Sequence, residues 1–354
     1  MNHFLNKIRS LLQHPAFKRG VFFVAVLMLI AAALVWVWLI WKFNHPAASE
    51  KIAPSPEIVY RAIDGVETEL GEYQPTFAVV IDNHPDSRPQ IGTAAAPLVY
   101  EVPVEGGMTR LLAMFPLEAV PVKIGPVRSL RPYMTDLAAA YNAVLMHVGG
   151  SPEALRLVKT ASVLDVNEFY RGWYFFRDSS RARPHNVEST FELMKKILDE
   201  QKVLVPAKFA SWSYVDAAEI TGVTLENGIK IPFGALTAGW EYEPAREKFG
   251  RTVDGALESD ASGTRLEAAN VIVMLVKSKV IDNEGRLKVQ IISDGEAVIF
   301  SAGKMRKGKW IKQSAETREQ FVDEKGVPIS LARGATWVEV VPADLNIDFT
   351  LNQE

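Results

Sequence analysis

Phe77-Ala78-Val79-Val80-Ile81-Asp82 runs directly into Asn83-His84-Pro85. The six residues are apolar except for the last and rich in β-branched side chains. They predict a buried strand that delivers a carboxylate to a turn. Downstream, Leu98–Val104 alternates weakly and stops at Glu105-Gly106-Gly107, so Thr109–Phe115 (TRLLAMF) is read as its antiparallel partner. Ile124–Arg128 is extended around Pro126. Pro132–Tyr141 is read as a helix, with proline in the first turn where its missing N–H is not needed. Ala143–Val148 returns as a strand. Ser151-Pro152-Glu153 opens another helix, with an N-cap, a proline at the first position and an acid in the positive first turn. Val187–Gln201 reads as an amphipathic helix, with Phe191, Met194, Ile197 and Leu198 on one face.

Beyond about Leu225 the texture changes. Val271–Val276 (VIVMLV) is a continuous apolar strand. Lys288–Ile292, Glu296–Ser301, Lys309–Lys312, Ile329–Leu331 and Ala335–Val341 follow at short spacing, punctuated by Gly-containing turns. The expected fold class is α+β: a mixed helix and strand domain over residues 59–224, then a β-rich domain over 225–342 and a tail over 343–354. No internal repeat is visible.

Upstream, Val21–Trp41 is an uncharged run, VFFVAVLMLIAAALVWVWLIW. As a helix it spans about 30 Å, the thickness of a bilayer core. A cleaved signal peptide has a shorter apolar segment, and Ala47-Ala48-Ser49 is a weak cleavage site, so the reading is an uncleaved transmembrane helix. The absence of any polar residue in the run argues against a buried core helix. Lys7, Arg9, Lys18 and Arg19 precede it without a single acid, which predicts a cytoplasmic N-terminus and extracytoplasmic C-terminal domains. Residues 42–58 are rich in Pro, Ala and Ser and read as a linker.

The chain has 354 residues, 48% apolar and 23% charged, ordinary globular values. It has no cysteine, which excludes disulfides, thiolate chemistry and sulfur-bound zinc. Outside the first 41 residues the formal charge is −7. No concentrated basic face is evident, so nucleic acid is not expected as a partner.

The densest polar chemistry lies between Asp82 and Asn186. Glu101 and Glu105 are in phase on one strand, and Arg110, after the Gly-Gly turn, is expected opposite them. Arg128 and Arg131 flank a helix start, where free N–H groups attract anions. Gly149-Gly150-Ser151 allows close backbone approach, although Ser151 is fully explained as an N-cap. Two accounts compete: a structural Arg–Glu network, and a polar cleft for an anionic or hydroxylated ligand. His84, His147 and His185 with Asp82 carry no helix-spaced pair, so no metal is expected; a Ser–His–Asp triad lacks the Gly-x-Ser-x-Gly elbow. Gly303–Trp310 mimics a phosphate loop but has Trp310 in place of Ser or Thr. It is read as a basic hairpin turn carrying Lys304, Arg306, Lys307 and Lys309, able to meet anionic lipid or wall polymer.

Several of these motifs together resemble the YerB-like family of bacterial envelope proteins: Asp82-Asn83, Arg88-Pro89-Gln90, Tyr100-Glu101, Glu105-Gly106-Gly107-x-Thr109-Arg110, Ile124-Gly125-Pro126-Val127-Arg128-Ser129-x-Arg131, Gly149-Gly150-Ser151-Pro152 and Arg183-Pro184-His185-Asn186. In the C-terminal half, Gly303-Lys304, Gly308-x-Trp310-x-Lys312 and Gly334-x-Thr336-Trp337 are similar too. The resemblance covers roughly residues 70–342. It implies a two-domain extracytoplasmic protein, commonly lipid-anchored; the family has no established biochemical activity, so the resemblance carries over no catalytic residue. This chain differs in offering a transmembrane helix in place of a lipidated cysteine.

The expected function is binding of an anionic cell-envelope ligand, such as a wall polymer or a peptide carboxylate. Arg88, Arg110, Arg128 and Arg131 would hold charge. Asp82, Glu101 and Glu105 would orient them or accept ligand hydroxyls. His185 and Asn186 would supply hydrogen bonds, with Asn83, His147 and Ser151 in the same set. The alternatives are an envelope hydrolase or transferase using His147 or His185, and a protein-interaction scaffold. No cofactor is expected, and the membrane is a partner through residues 21–41.

Overall fold

Alternate residues of the Phe77–Asp82 run pack into two different cores. Phe77, Val79 and Ile81 belong to one, Ala78 and Val80 to the other. A strand apolar on both sides lies inside a sheet covered on both faces, and the computed structural model shows this. It describes residue 5 and residues 8–9, 12–44, 58–202 and 208–351. Residues 45–57 of the expected linker, Lys7 and residues 352–354 of the tail lie outside the described residues. The part up to residue 57 and the part from Ile58 onward are separate units.

In the first unit, α1 (Pro15–Asn44) is a 30-residue helix with no buried residue. An 18-residue stretch of it has a mean hydropathy of 2.8, and the helix is long and apolar enough to cross a membrane. The helix extends several residues past both ends of the uncharged run, taking in Lys18, Arg19 and Lys42.

In the second unit the principal strands are β1 (Thr76–Asp82), β2 (Leu98–Pro103), β3 (Thr109–Pro116), β4 (Val144–His147), β5 (Leu164–Asn167) and β6 (Val187–Thr190). They are followed by β7 (Val223–Pro232), β8 (Thr237–Glu243), β9 (Lys248–Val253), β10 (Asn270–Val280), β11 (Asp294–Ser301), β12 (Lys304–Ile311), β13 (Thr336–Pro342) and β14 (Asp348–Leu351). The principal helices are α2 (Pro132–Ala139), α3 (Pro152–Leu157) and α4 (Phe191–Gln201), with a single short turn of helix at Glu168–Arg171. The class is α+β, with helices in the first part and strands in the second.

The central sheet runs β5-β4-β1-β3-β2-β13-β10-β11-β12. β1, β4 and β5 are mutually parallel, and β3 is antiparallel to both β1 and β2. β13 lies between β2 and β10 and is parallel to both. The helix-bearing and strand-only parts therefore share one continuous sheet through β13. One face is covered by α2 and α3, through Met134, Leu137 and Ala154. The other is covered by α4 (Met194, Ile197) and by Trp240 and Phe249 of the β7–β9 meander.

Three local expectations are corrected. Val187–Gln201 is not helical throughout: Val187–Thr190 is strand β6, paired to residues 123–124 and 176–177, and the helix starts at Phe191 with Thr190 as its N-cap. The apolar face seen at 191–198 is real, but β-branched Val187 and Thr190 belong to the ladder. The basic residues 304–309 are not a turn. They lie on β12, preceded by the turn Ala302-Gly303; Met305 among them and Trp310 after them are buried. Arg110 pairs with Val102 rather than with Glu101 or Glu105. A shift of one residue in register reverses the face, so Arg110 stands on the opposite side of the sheet from Glu101.

Candidate functional site

The pleat at the end of β1 sorts the polar residues into two centres. Asp82 is the register partner of Arg110, and it follows Val80 on the α2–α3 face. Glu101 follows Val99 on the face covered by the meander. One centre therefore reaches solvent and the other is sealed.

In the sealed centre, Arg251 of β9 enters beneath the sheet. Its guanidinium is 2.7 Å from Glu101 Oε2, 3.3 Å from Glu339 Oε1 and 2.8 Å from Glu258 Oε2. The close approach to Glu101 is an ion contact without hydrogen-bond alignment. It lies over the rings of Trp240 and Trp337, at 5.5 and 4.8 Å. Asn83 Nδ2 donates to Glu101 Oε1 at 3.1 Å and to Thr109 Oγ1 at 2.8 Å, and the Thr109 hydroxyl donates to Glu101 Oε1 at 2.6 Å. Arg88 donates to the Asn83 carbonyl at 3.0 Å and approaches Glu258 at 3.4 Å. Glu101, Asn83 and Arg88, expected in the cleft, thus belong to a structural network. Glu101 and Asn83 are fully buried.

The open centre is built by the segment Gly125–Arg131, threaded along the C-terminal ends of β1 and β4. Pro126 accepts the Asp82 N–H, Arg128 donates its N–H to Val80, and Val148 donates to Arg128. Leu130 accepts the Ser151 N–H and donates to Gly149. Gly149 has φ +59°, and a Cβ there would meet the Phe169 ring at 2.7 Å, so glycine is required. Val127 and Leu130 face the cores, which leaves Arg128 and Arg131 directed outward.

Arg110, Arg128 and Arg131 meet here. Arg131 forms a bidentate pair with Glu105, at 2.7 and 2.6 Å. Burial would raise the Glu105 carboxyl, but Arg131 outweighs it and holds the group below its usual range. Arg128 Nε stands 3.0 Å from Asp82 Oδ2, whose carboxylate also takes His185 Nδ1 at 2.6 Å. Among the described residues the Arg110 guanidinium makes no ion pair with a carboxylate, and its one hydrogen bond there is to the Ser129 carbonyl at 2.8 Å. Burial, and then the charges of Arg131 and Arg128, push its guanidinium down to about 10. Three cations thus face two carboxylates; Asp82 and Glu105 attract the Arg110 guanidinium from a distance, but each is paired directly to another arginine.

Arg181 fastens the loop that carries His185, donating to the Ser87 and Pro89 carbonyls at 2.8 Å each. The His185 ring stacks on His84, centroids 4.8 Å apart. Asn186 is turned away: its Oδ1 accepts from Arg177 at 3.1 Å. Ser151 is the N-cap of α3, accepting the Ala154 N–H at 3.3 Å. His147 is fully buried, with Nδ1 2.7 Å from the Gly149 carbonyl and Nε2 2.8 Å from Asp165. It braces the Gly149 loop and offers no free nitrogen to a substrate. A chiefly apolar hollow lined by Ile91, Gly92, Ala94, Pro121, Val122 and Ala261 contains none of these charged groups.

The architecture is that of a two-domain α+β envelope protein held at a membrane, with a cationic cluster at the carboxyl ends of parallel strands. Residues 63–204 match the family described as protein of unknown function (DUF3048), N-terminal domain, and residues 229–338 match its C-terminal domain. The chain is 28% identical over 289 residues to "Putative lipoprotein YerB" of Bacillus subtilis (strain 168), covering 79% of this chain and 85% of that protein. The crystal structure of YerB from Bacillus subtilis superposes with a TM-score of 0.73 at 25% identity, over 82% of this chain and 99% of that one. The chain belongs to the YerB-like two-domain family. The 354 residues contain no cysteine.

Proposed function

We propose that this protein is a single-pass, N-in membrane protein whose extracytoplasmic part binds an anionic envelope ligand at Arg110, Arg128 and Arg131. The observation that carries this reading is Arg110: a buried guanidinium beside two others, with no carboxylate of its own. An isolated buried charge is costly, and an incoming carboxylate or phosphate would relieve it with fork geometry. The position, at the carboxyl ends of β1, β4 and β5, is where open α/β sheets hold ligands. Exposed Phe169, Tyr170 and Trp173 lie just beyond β5. Asn167 caps the short helix Glu168–Arg171 that carries the first two, accepting the Gly149 and Phe169 N–H groups at 3.0 and 3.1 Å. The Phe169 ring lies against Gly149, whose carbonyl accepts the N–H of Leu130 between the two outer arginines, and flat aromatic faces at the same end of the sheet as cations suit a polymer that carries sugars as well as acidic groups.

The test is retention of purified wall polymer by the full chain in detergent. Arg128→Ala should weaken retention roughly tenfold, about 1.4 kcal/mol, while the thermal midpoint stays near that of the parent, because this side chain is partly exposed. Retention should also fall with added salt. Unchanged retention by the Arg128→Ala protein would defeat the proposal.

A second reading is favoured by the 2.6 Å bond between Asp82 and His185. A histidine oriented by a buried carboxylate is the arrangement of a general base. On this reading, release of soluble product from wall material would stop in His185→Ala.

A further inference from the structure

We propose that His84, Asp86 and His185 form a divalent-metal site of the kind zinc occupies. Each side chain offers one ligand atom, and the three atoms lie within 4.8 Å of one another. His84 and Asp86 stand on the turn that follows β1, and His185 comes from the loop fastened over it by Arg181. The site joins segments about a hundred residues apart in sequence, and so shows none of the helix-spaced ligand pairs that a sequence would reveal.

Two features separate this cluster from a chance surface grouping. His185 is buried and Asp82, also buried, accepts its Nδ1–H at 2.6 Å. That bond fixes the ring orientation and leaves Nε2 with a bare lone pair, as in the carboxylate–histidine–metal arrangement. Asp82 is held in turn by Arg128 and by the His84 N–H at 3.2 Å. The second feature is the setting of His84. Its ring lies nearly parallel to that of His185, at 22°, with Nδ1 3.6 Å from Asp86 Oδ2. His84 Nδ1 also accepts the Asp86 N–H at 3.2 Å, so the turn itself holds the His84 ring and the Asp86 carboxylate side by side.

Two nitrogens and one carboxylate oxygen suit zinc, or manganese and nickel less selectively. The His84 and Asp86 side chains are 44% and 72% exposed, so a fourth position stays open to water or ligand. The inference stands on this geometry alone and does not need the anion reading of the arginines.

The experiment is titration of the full chain, purified in detergent without a histidine tag, with Co2+ followed by its visible d–d bands and with Zn2+ by competition. One equivalent that Asp86→Ala and His84→Ala each remove or weaken supports the site. Asp82→Asn should lower affinity roughly 10–100-fold through loss of ring orientation. Asp86 is exposed, so its variant keeps the fold even if changes at His185 do not. Absence of binding, or binding unchanged in both Asp86→Ala and His84→Ala, overturns the proposal.

Discussion

Arg251→Ala is expected to cost roughly 3–5 kcal/mol of stability, the range for removing one partner of a buried ion pair. Burial by itself would make the guanidinium less basic. Glu101, Glu258 and Glu339 together outweigh that and hold it more basic than a free arginine. Glu101 and Glu339 are direct neighbours across the β2–β13 pairing. Burial first, and then the charge of Glu101, push the Glu339 carboxyl well above its ordinary range. Without Arg251 these two acids face each other in a dry core between tryptophans. Thermal or urea unfolding of the full chain measures the loss; a change under about 1 kcal/mol would mean the centre is not sealed. Glu339→Gln is the companion. A carboxyl with a raised folded value contributes stability while protonated, and that contribution fades as pH rises through the raised value. Glutamine keeps an oxygen for Trp240 and Arg251 and cannot ionise. The variant should match the parent in acid and exceed it in alkaline buffer.

Arg110→Met should have the opposite sign. A folded guanidinium depressed to about 10 is penalised at every pH below that value, and the penalty vanishes only towards arginine's ordinary range. Replacing the cation with an apolar chain of similar length should raise stability by about 1–3 kcal/mol. The same change should abolish any rise in thermal midpoint that the parent shows on adding inorganic phosphate. A site that sacrifices stability for binding predicts both effects together. A destabilised Arg110→Met protein that still responds to phosphate would show the arginine to be structural.

Much of the first part was legible because its signals are local. The Phe77–Asp82 strand, the 98–116 hairpin with its Gly-Gly turn, and the proline-led helices after Arg131 and Ser151 each declare themselves within ten residues or so. The gathering of Arg110, Arg128 and Arg131 followed from strand ends and turns. What was not legible depends on pairing between distant strands. Glu101 looks like an outward charge until Glu339 and Arg251 are placed beside it, and nothing near Glu101 announces either. Arg251 lies in Lys248–Val253, whose mixed residues KFGRTV carry no clean alternation. The face of Arg110 turned on a single step of register, which composition does not set. His185 meets His84 only because Arg181 clamps one loop onto the other.

The placement of β13 has a consequence for how the molecule comes into being. This strand is next to last in the chain, yet it fills the gap between β2 and β10. Until residues 336–342 have left the ribosome, the earlier strands present two unfilled edges of the kind that invite aggregation. Native structure is therefore reached late, after nearly the whole polypeptide exists, and slowly, because its key pairing spans most of the sequence. A chain ended after residue 335 should remain protease-sensitive along its entire length, and a resistant N-terminal fragment would show that the first half can close without it.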